Sequence, residues 1–431
     1  MTKFTTTCSW LPQRGESELD RTLGRIVMTI GDKIITKHRY YDETESDYLE
    51  IPAYFLAEWI AENWWPLLWE PRKSEDVGDD PDFLDRHCIL AAQHGFALPR
   101  LLIVPFGRNI RVSATARDVQ IADVRFLKGG EGILSRQEVE SDLKKFVTKV
   151  VLRLRDKQAT KTALQDLWEL IEGTAPEEAL FCQLMGALGM SPYVSNPAIE
   201  DVLESAHAKL GERLVMDLCL ACTAEDFSTE AEKAKEMVAA IESVSNSTLA
   251  PLSAIPLPAD SISLPAWRRG VNAAKRVRQK LNISDTDAHG ADRLFELLRL
   301  NTGKAFNGIN AHRETPIIVG LMERNDQDAR IALLQENEQQ RRFAAARGVY
   351  AAWSSEQQRE SRLLTPAVTR GQQANRAFAA ELMAPYAYIR SQAKGSKISQ
   401  DRIVDLASNL NIGADVVRKN AQNNGLLVVP S

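Results

Sequence analysis

The sequence predicts a mostly helical α+β protein built from more than one domain. Three observations carry this. The chain has 431 residues, more than the roughly 100–200 of one domain. Short β-branched, alternating stretches mix with helices in the first ~135 residues, and 3.6-period patterns dominate from there on. A Pro- and Ser-rich segment, 246–265, coincides with a reversal of charge. Residues 266–431 hold 25 Lys/Arg against 16 Asp/Glu, and residues 1–265 hold 28 against 42. The expected order is a mixed α/β domain at 1–134, a helical region at 135–245, a linker at 246–265 and a further domain at 266–431.

Composition narrows the class. With 44% hydrophobic and 26% charged residues, the chain has enough apolar surface for a packed core, which argues against wholesale disorder. No apolar run approaches the ~18 residues of a membrane span, and MTKFTTTCSW lacks an apolar signal core. The expectation is a soluble cytoplasmic protein with no membrane partner. The net charge of -5 argues against nucleic-acid binding driven by overall charge, but says nothing of local patches. Five cysteines fit a reducing compartment better than a disulfide framework. Cys219 and Cys222 form a lone CxxC with no partner motif, so they read as core residues rather than a zinc site.

Taken in order, VMTIGDKIITKHRYY alternates as a strand or hairpin. IPAYFLAEWIAENWWPLLWEP reads as a helix from about Ala53 to Trp65, ended by Pro66. Its Trp59, Trp64, Trp65 and Trp69 read better as core filling than as a binding surface. RLLIVPFG and NIRVSATA read as strands turning at Gly107. Ser135 and Glu138 open a helix with a capping box. Further helices are expected near 160–172, 177–188, 197–210, 211–222 and 228–244, with Pro192 and Pro197 punctuating SPYVSNP. LKGGEGIL, 127–134, lacks a Walker lysine and reads as a loop. After 265 come two helices, a strand near Pro316–Leu321, the helix EQQRRFAAARGVYAAW, the helix RGQQANRAFAAELMAP, and a helix-turn-helix-like tail ending in a strand.

The words in that last part carry a likeness. Arg342, Phe343 and Ala346 match the RF-x-x-A opening of a helix. Ala374, Asn375, Phe378, Ala379, Ala380, Glu381, Leu382, Met383 and Pro385 follow the order of an AN-x-FA-x-x-LLMP helix. Residues 266–431 thereby resemble the ImmA/IrrE family of zinc metallopeptidases, which implies a zincin-type domain. The resemblance also implies where zinc chemistry would sit. In HExxH the two His lie one turn apart and hold the metal, and the Glu activates its water. Those places fall on Arg347, Gly348 and Ala351, and the third ligand on Gln373. Arginine keeps its proton and cannot ligate; glycine and alanine have no side-chain donor. None of His38, His87, His94, His207, His289 and His312 is followed by Glu, and no pair has i, i+4 spacing. His87 and His94, seven apart, are a weak ligand signal, and His312-Arg313-Glu314 lacks a partner.

The expectation is therefore a degenerate metallopeptidase-like domain with no catalytic residue, no metal and no cofactor. By resemblance it is a pseudo-peptidase: a regulator, adaptor or sensor in a bacterial stress, prophage or anti-phage circuit. Its partner would be a protein, such as a helix-turn-helix regulator or a defence-system component. Arg347, Tyr350, Gln373 and Asn375 are expected to line a surviving peptide groove. Two alternatives stay open. One is an enzyme with a displaced site that cleaves a repressor. The other is a DNA-binding regulator whose tail presents Arg418, Lys419, Asn420 and Gln422 to nucleic acid; the same tail reads better as scaffold or protein docking.

Overall fold

A computed structural model of the chain describes residues 3–73, 80–92, 94–119, 124–159, 161–261, 264–287, 289–303 and 316–430, with the side chains of 117–119 set aside. The protein is mixed α+β, about 51% helical and 19% strand, with small antiparallel sheets. His312 and Glu314 lie outside the described residues. No helix among those described is long and apolar enough to cross a membrane.

The chain forms two compact units, Met1–Asn196 and Pro197–Ser431. This boundary differs from the expected one. The segment 246–265 is no free linker in its described part: Ser247–Thr248 pairs with the Asp328–Leu333 strand, and Leu249, Leu252 and Ile255 are buried in the second unit's core. Apolar side chains three residues apart outweigh the loop-like composition. Nor does a boundary fall at 135, because the Arg136–Asp156 helix buries Val139, Leu143, Phe146, Val147 and Val150 in the same core as the strands before it.

In the first unit, strand Leu23–Ile30 pairs antiparallel with Phe4–Trp10, Lys33–Ile34 and Leu49–Pro52. A second antiparallel sheet runs Gly130–Ser135, Asn109–Thr115, Arg100–Phe106. LKGGEGIL, expected as a loop, is strand from Gly130 on, because its backbone pairs with Asn109–Thr115. The tryptophan helix breaks at Asn63 into Tyr54–Glu62 and Trp64–Trp69. Pro66 does not end a helix here; it sits in the first turn of the next one, where its missing N–H is harmless. Trp59, Trp64 and Trp65 are all buried, so they fill the core. The Ser135–Glu138 capping box is present in full.

The two histidines flagged as a weak pair do different things. His94 packs beside Phe55 at 5.7 Å. His87 is fully buried, with Nδ1 2.7 Å from the Ile103 carbonyl and Nε2 3.1 Å from Glu70. Burial by itself would raise the Glu70 carboxyl, but hydrogen bonds from Arg86 and then His87 hold it down at about 2. Arg86 grips it bidentately, both bonds at 2.7 Å. Gly189, at φ +79, passes so close that a Cβ would lie 2.6 Å from Glu70 Oε1.

Asp142, half-buried on the long helix, accepts the Thr6 N–H at 2.8 Å and so ties helix to strand. Burial raises its carboxyl from 3.8 to about 6, against the pull of the Thr6 bond and of Lys145. The folded state thus holds this proton more tightly than the unfolded chain. Its contribution is present at acid pH and is lost as pH rises through about 6. Asp142→Asn keeps the acceptor without the charge. It should stabilise the unit by about 1 kcal/mol at pH 7.5, allowing for partial solvation, and by less at pH 5. Melting curves at the two pH values check this; an equal shift at both would show that ionisation of Asp142 costs nothing.

In the second unit the sheet order is Ser247–Thr248, Asp328–Leu333, Gly320–Asn325, Arg359–Leu364, all antiparallel. The strand expected at 316–321 thus begins at Gly320. A central helix, Glu338–Ser354, packs on this sheet, and a second helix, Arg370–Met383, packs on the central one. A cover helix, Ala266–Lys280, crosses the second. The helices expected at 197–210 and 211–222 are two helices within Pro197–Cys219 that meet at the non-helical Gly211 (φ 75, ψ 167). Cys219 and Cys222 are buried there. The tail is as expected, helices Gln400–Leu410 and Ala414–Asn423 with Asn411 left-handed between them, closed by a parallel pair of strands, Lys397–Ser399 and Leu427–Val429.

Candidate functional site

The central helix is capped by Asn337, whose side chain accepts from the N–H groups of Gln339 and Gln340. It is buried on almost every side. Arg342, Ala344 to Tyr350, Ala352 and Trp353 all lie inside. Small residues permit this. At Gly348 a Cβ would come within 2.6 Å of Ile331 Cγ2 on the sheet, so the position matched to the catalytic glutamate backs directly onto a strand.

Arg347 stands where the first zinc-binding histidine is expected. It is 4% exposed. Its Nε donates to Asn375 Oδ1 at 2.9 Å, and one terminal nitrogen donates to the Thr365 carbonyl at 2.6 Å and to Gln372 Oε1 at 2.8 Å. The guanidinium therefore bridges the central helix, the second helix and the end of the Arg359–Leu364 strand. All three acceptors are neutral. Burial, then the charge of Arg376, pushes the group well below the usual arginine range.

Gln372, which the sequence match passed over, organises the rest. Its Oε1 also accepts from Asn375 Nδ2 at 3.0 Å, and its Nε2 donates to the Leu363 carbonyl at 2.7 Å. The signal was in the helix phase: Gln372, Asn375, Ala379 and Leu382 share one inward stripe, whereas Gln373 lies one step outside it and is only part-buried. Asp217 closes the same strand from its outer edge. Its carboxylate accepts the Leu363 N–H at 3.1 Å and pairs bidentately with Arg362 at 2.8 and 2.7 Å. That charge, foremost, raises the Arg362 guanidinium.

The groove expected from Arg347, Tyr350, Gln373 and Asn375 is thus not an open one. Arg347, Tyr350 and Asn375 are buried; the four do not form one lining because Arg347 and Asn375 are spent on each other. Tyr350 packs 5.1 Å from Phe378 and 6.4 Å from Trp353, and burial lifts its hydroxyl to about 12. Among the described residues that hydroxyl has no hydrogen-bond partner.

The tail's expected contact residues also divide. Asn420 is 6% exposed, and its Nδ2 donates to the Ala384 carbonyl at 2.8 Å. It ties the tail to the end of the second helix and is not offered to a ligand. Arg418 pairs with Asp415 and reaches Gln400 Oε1 at 3.3 Å. Lys419 and Gln422 are exposed. Arg342, from the RF opening, donates to Asp292 Oδ1 at 2.6 Å and to the Asn411 carbonyl at 2.8 Å, fixing the central helix to the tail's turn. No group of three His, Cys, Asp or Glu placed to hold a metal occurs among the described residues.

No protein-family model, no curated protein and no solved structure matches the chain significantly.

Proposed function

We propose that the second unit is a degenerate, non-catalytic relative of the ImmA/IrrE-type metallopeptidases. In this reading the protein acts by binding a protein partner, as a regulator, adaptor or sensor in a bacterial stress, prophage or anti-phage circuit. The observation that carries it is the Arg347 guanidinium. A zinc site of that family would join the two helices through a doubly charged ion held by two His and a Glu side chain. Here one fixed cation performs the joining, and every group that accepts a hydrogen bond from it is a neutral amide or carbonyl oxygen. A second cation at the same place would meet a positive charge and no anionic ligand. With Gly348 against Ile331, the position of the general base is closed as well.

The test is zinc retention together with proteolysis. The purified chain, equilibrated with zinc and dialysed, should keep far less than one zinc, and helix-turn-helix regulators incubated with it should stay full length and co-purify intact. One tightly held zinc per chain that disappears on changing residues near Arg347, with cleavage of a regulator, would overturn the reading.

A further inference from the structure

The first unit carries a basic groove that plays no part in the reading above. It is an open concavity of about 620 Å³ along the outer face of the Arg136–Asp156 helix, with Trp10 of the first strand as one wall. The size falls in the range of small-ligand sites. Lys144, Lys145, Lys149 and Arg153 line it.

Two of these four cations are held without being neutralised. Lys149 Nζ donates to the Cys8 carbonyl at 2.5 Å, and Arg153 Nε to the Arg21 carbonyl at 3.1 Å. Main-chain oxygens position the two groups and leave their charge intact. No ion pair links Lys145, Lys149 or Arg153 to an acid among the described residues. Only Lys144 has one, to Glu172 at 3.3 Å; Asp156 lines the groove as well. The unit as a whole carries more acid than base. Its 24 Lys/Arg are outnumbered by 30 Asp/Glu, and Arg25, Lys37, Arg39 and Lys161 each meet a carboxylate within 3.1 Å. The local field is felt by Cys8: burial raises its thiol to about 11, while Lys149 and Arg153 pull it down.

The helix's own needs do not account for the cluster. Cations favour a helix C-terminus, but the effect fades within the last turn. Arg153 and Arg155 serve that end, and Lys149 and Lys145 lie two and three turns before it. The groove also holds the Thr148 hydroxyl, whose oxygen is buried and without a partner among the described residues. Arg153 lies 5.3 Å from the Trp10 ring centre, so a flat aromatic surface stands beside the charges.

We infer that this groove binds a nucleotide unit, its phosphate on Lys145, Lys149 and Arg153 and its base against Trp10. Cations that track a backbone beside an aromatic face are what single-stranded nucleic acid requires. A free nucleotide would use the same contacts.

The experiment is anisotropy of a dye-labelled single-stranded oligonucleotide with the full chain across a salt series. One phosphate neutralised in the groove gives a slope of log affinity against log salt of about -0.7 on a single strand. Lys145 is exposed and its side chain makes no hydrogen bond among the described residues, so Lys145→Gln should fold normally, weaken binding several-fold and flatten the slope. Lys419→Gln, on the tail, should change neither. Displacement by a mononucleotide as well as by unlabelled oligonucleotide would assign the groove to single nucleotides; displacement by oligonucleotide alone would assign it to a strand. No binding at about 50 mM salt overturns the proposal, since phosphate contacts are strongest there. So does a loss that follows Lys419 instead of Lys145, or equal displacement by polyglutamate.

Discussion

Arg347→Ala should cost the second unit about 3–4 kcal/mol, read as a lower urea midpoint at unchanged slope. The side chain is 4% exposed, so truncation opens a cavity between two helices and a strand end. It also strands an acceptor. Gln372 Oε1 keeps Asn375 Nδ2, and the Thr365 carbonyl keeps Arg376 at 3.5 Å, but Asn375 Oδ1 loses the donor it has here. An unsatisfied buried acceptor costs about 1–3 kcal/mol. Working the other way, the charge itself is expensive where it sits, as the lowered guanidinium shows. Arg347→Met, which fills the space with an uncharged stem, should therefore recover about half of the loss. Arg347→Ala within 1 kcal/mol of the parent chain would mean that water reaches the position, and an open groove would again be the better description.

That contrast shows how far the sequence could be read. It was legible that residue 347 cannot be a zinc ligand. That it lies inside was legible too, through a different signal. EQQRRFAAARGVYAAW has no polar stripe, and a helix without one is buried all round. Reading the position through a family pattern placed it on a groove; reading the helix by itself would have placed it in the core. The tail, the capped helices and the aromatic core came through because their signals are local. The strands Asp328–Leu333 and Arg359–Leu364 did not. DARIAL and RESRLL are short and charged, and only pairing with Gly320–Asn325 makes them strands. The unit boundary fell at Asn196–Pro197, at the end of the Pro-punctuated SPYVSNP. The richer Pro-Ser segment was misleading because Leu249, Leu252 and Ile255 anchor it.

Gly270→Ala should destabilise the second unit by about 3 kcal/mol or more, although helix propensity by itself favours alanine by about 1 kcal/mol. The reason is a backbone crossing. A Cβ at Gly270 would lie 2.0 Å from the Ala374 carbonyl oxygen, 2.8 Å from the Phe378 nitrogen and 2.9 Å from the Ala374 carbonyl carbon. None of these atoms belongs to a side chain that can swing aside, so the cover helix and the second helix must separate. Separation loosens a buried face that includes Ala273, Ala274 and Val277 on one helix and Ala374 and Phe378 on the other. It also strains Arg278, which donates to the Leu382 carbonyl at 2.6 Å and is itself buried. Since Arg347 is held by Asn375 and Gln372 of that same second helix, the displacement reaches the guanidinium site. Gly371 supplies the control. It lies in the second helix, exposed, and a Cβ there would meet nothing within 4 Å. Gly371→Ala should be neutral or stabilising by up to about 1 kcal/mol. Opposite signs for the two substitutions, measured by urea unfolding, are the expected result. Equal small stabilisations would show that the two helices are not in backbone contact, and the packing described for the guanidinium site would have to be redrawn.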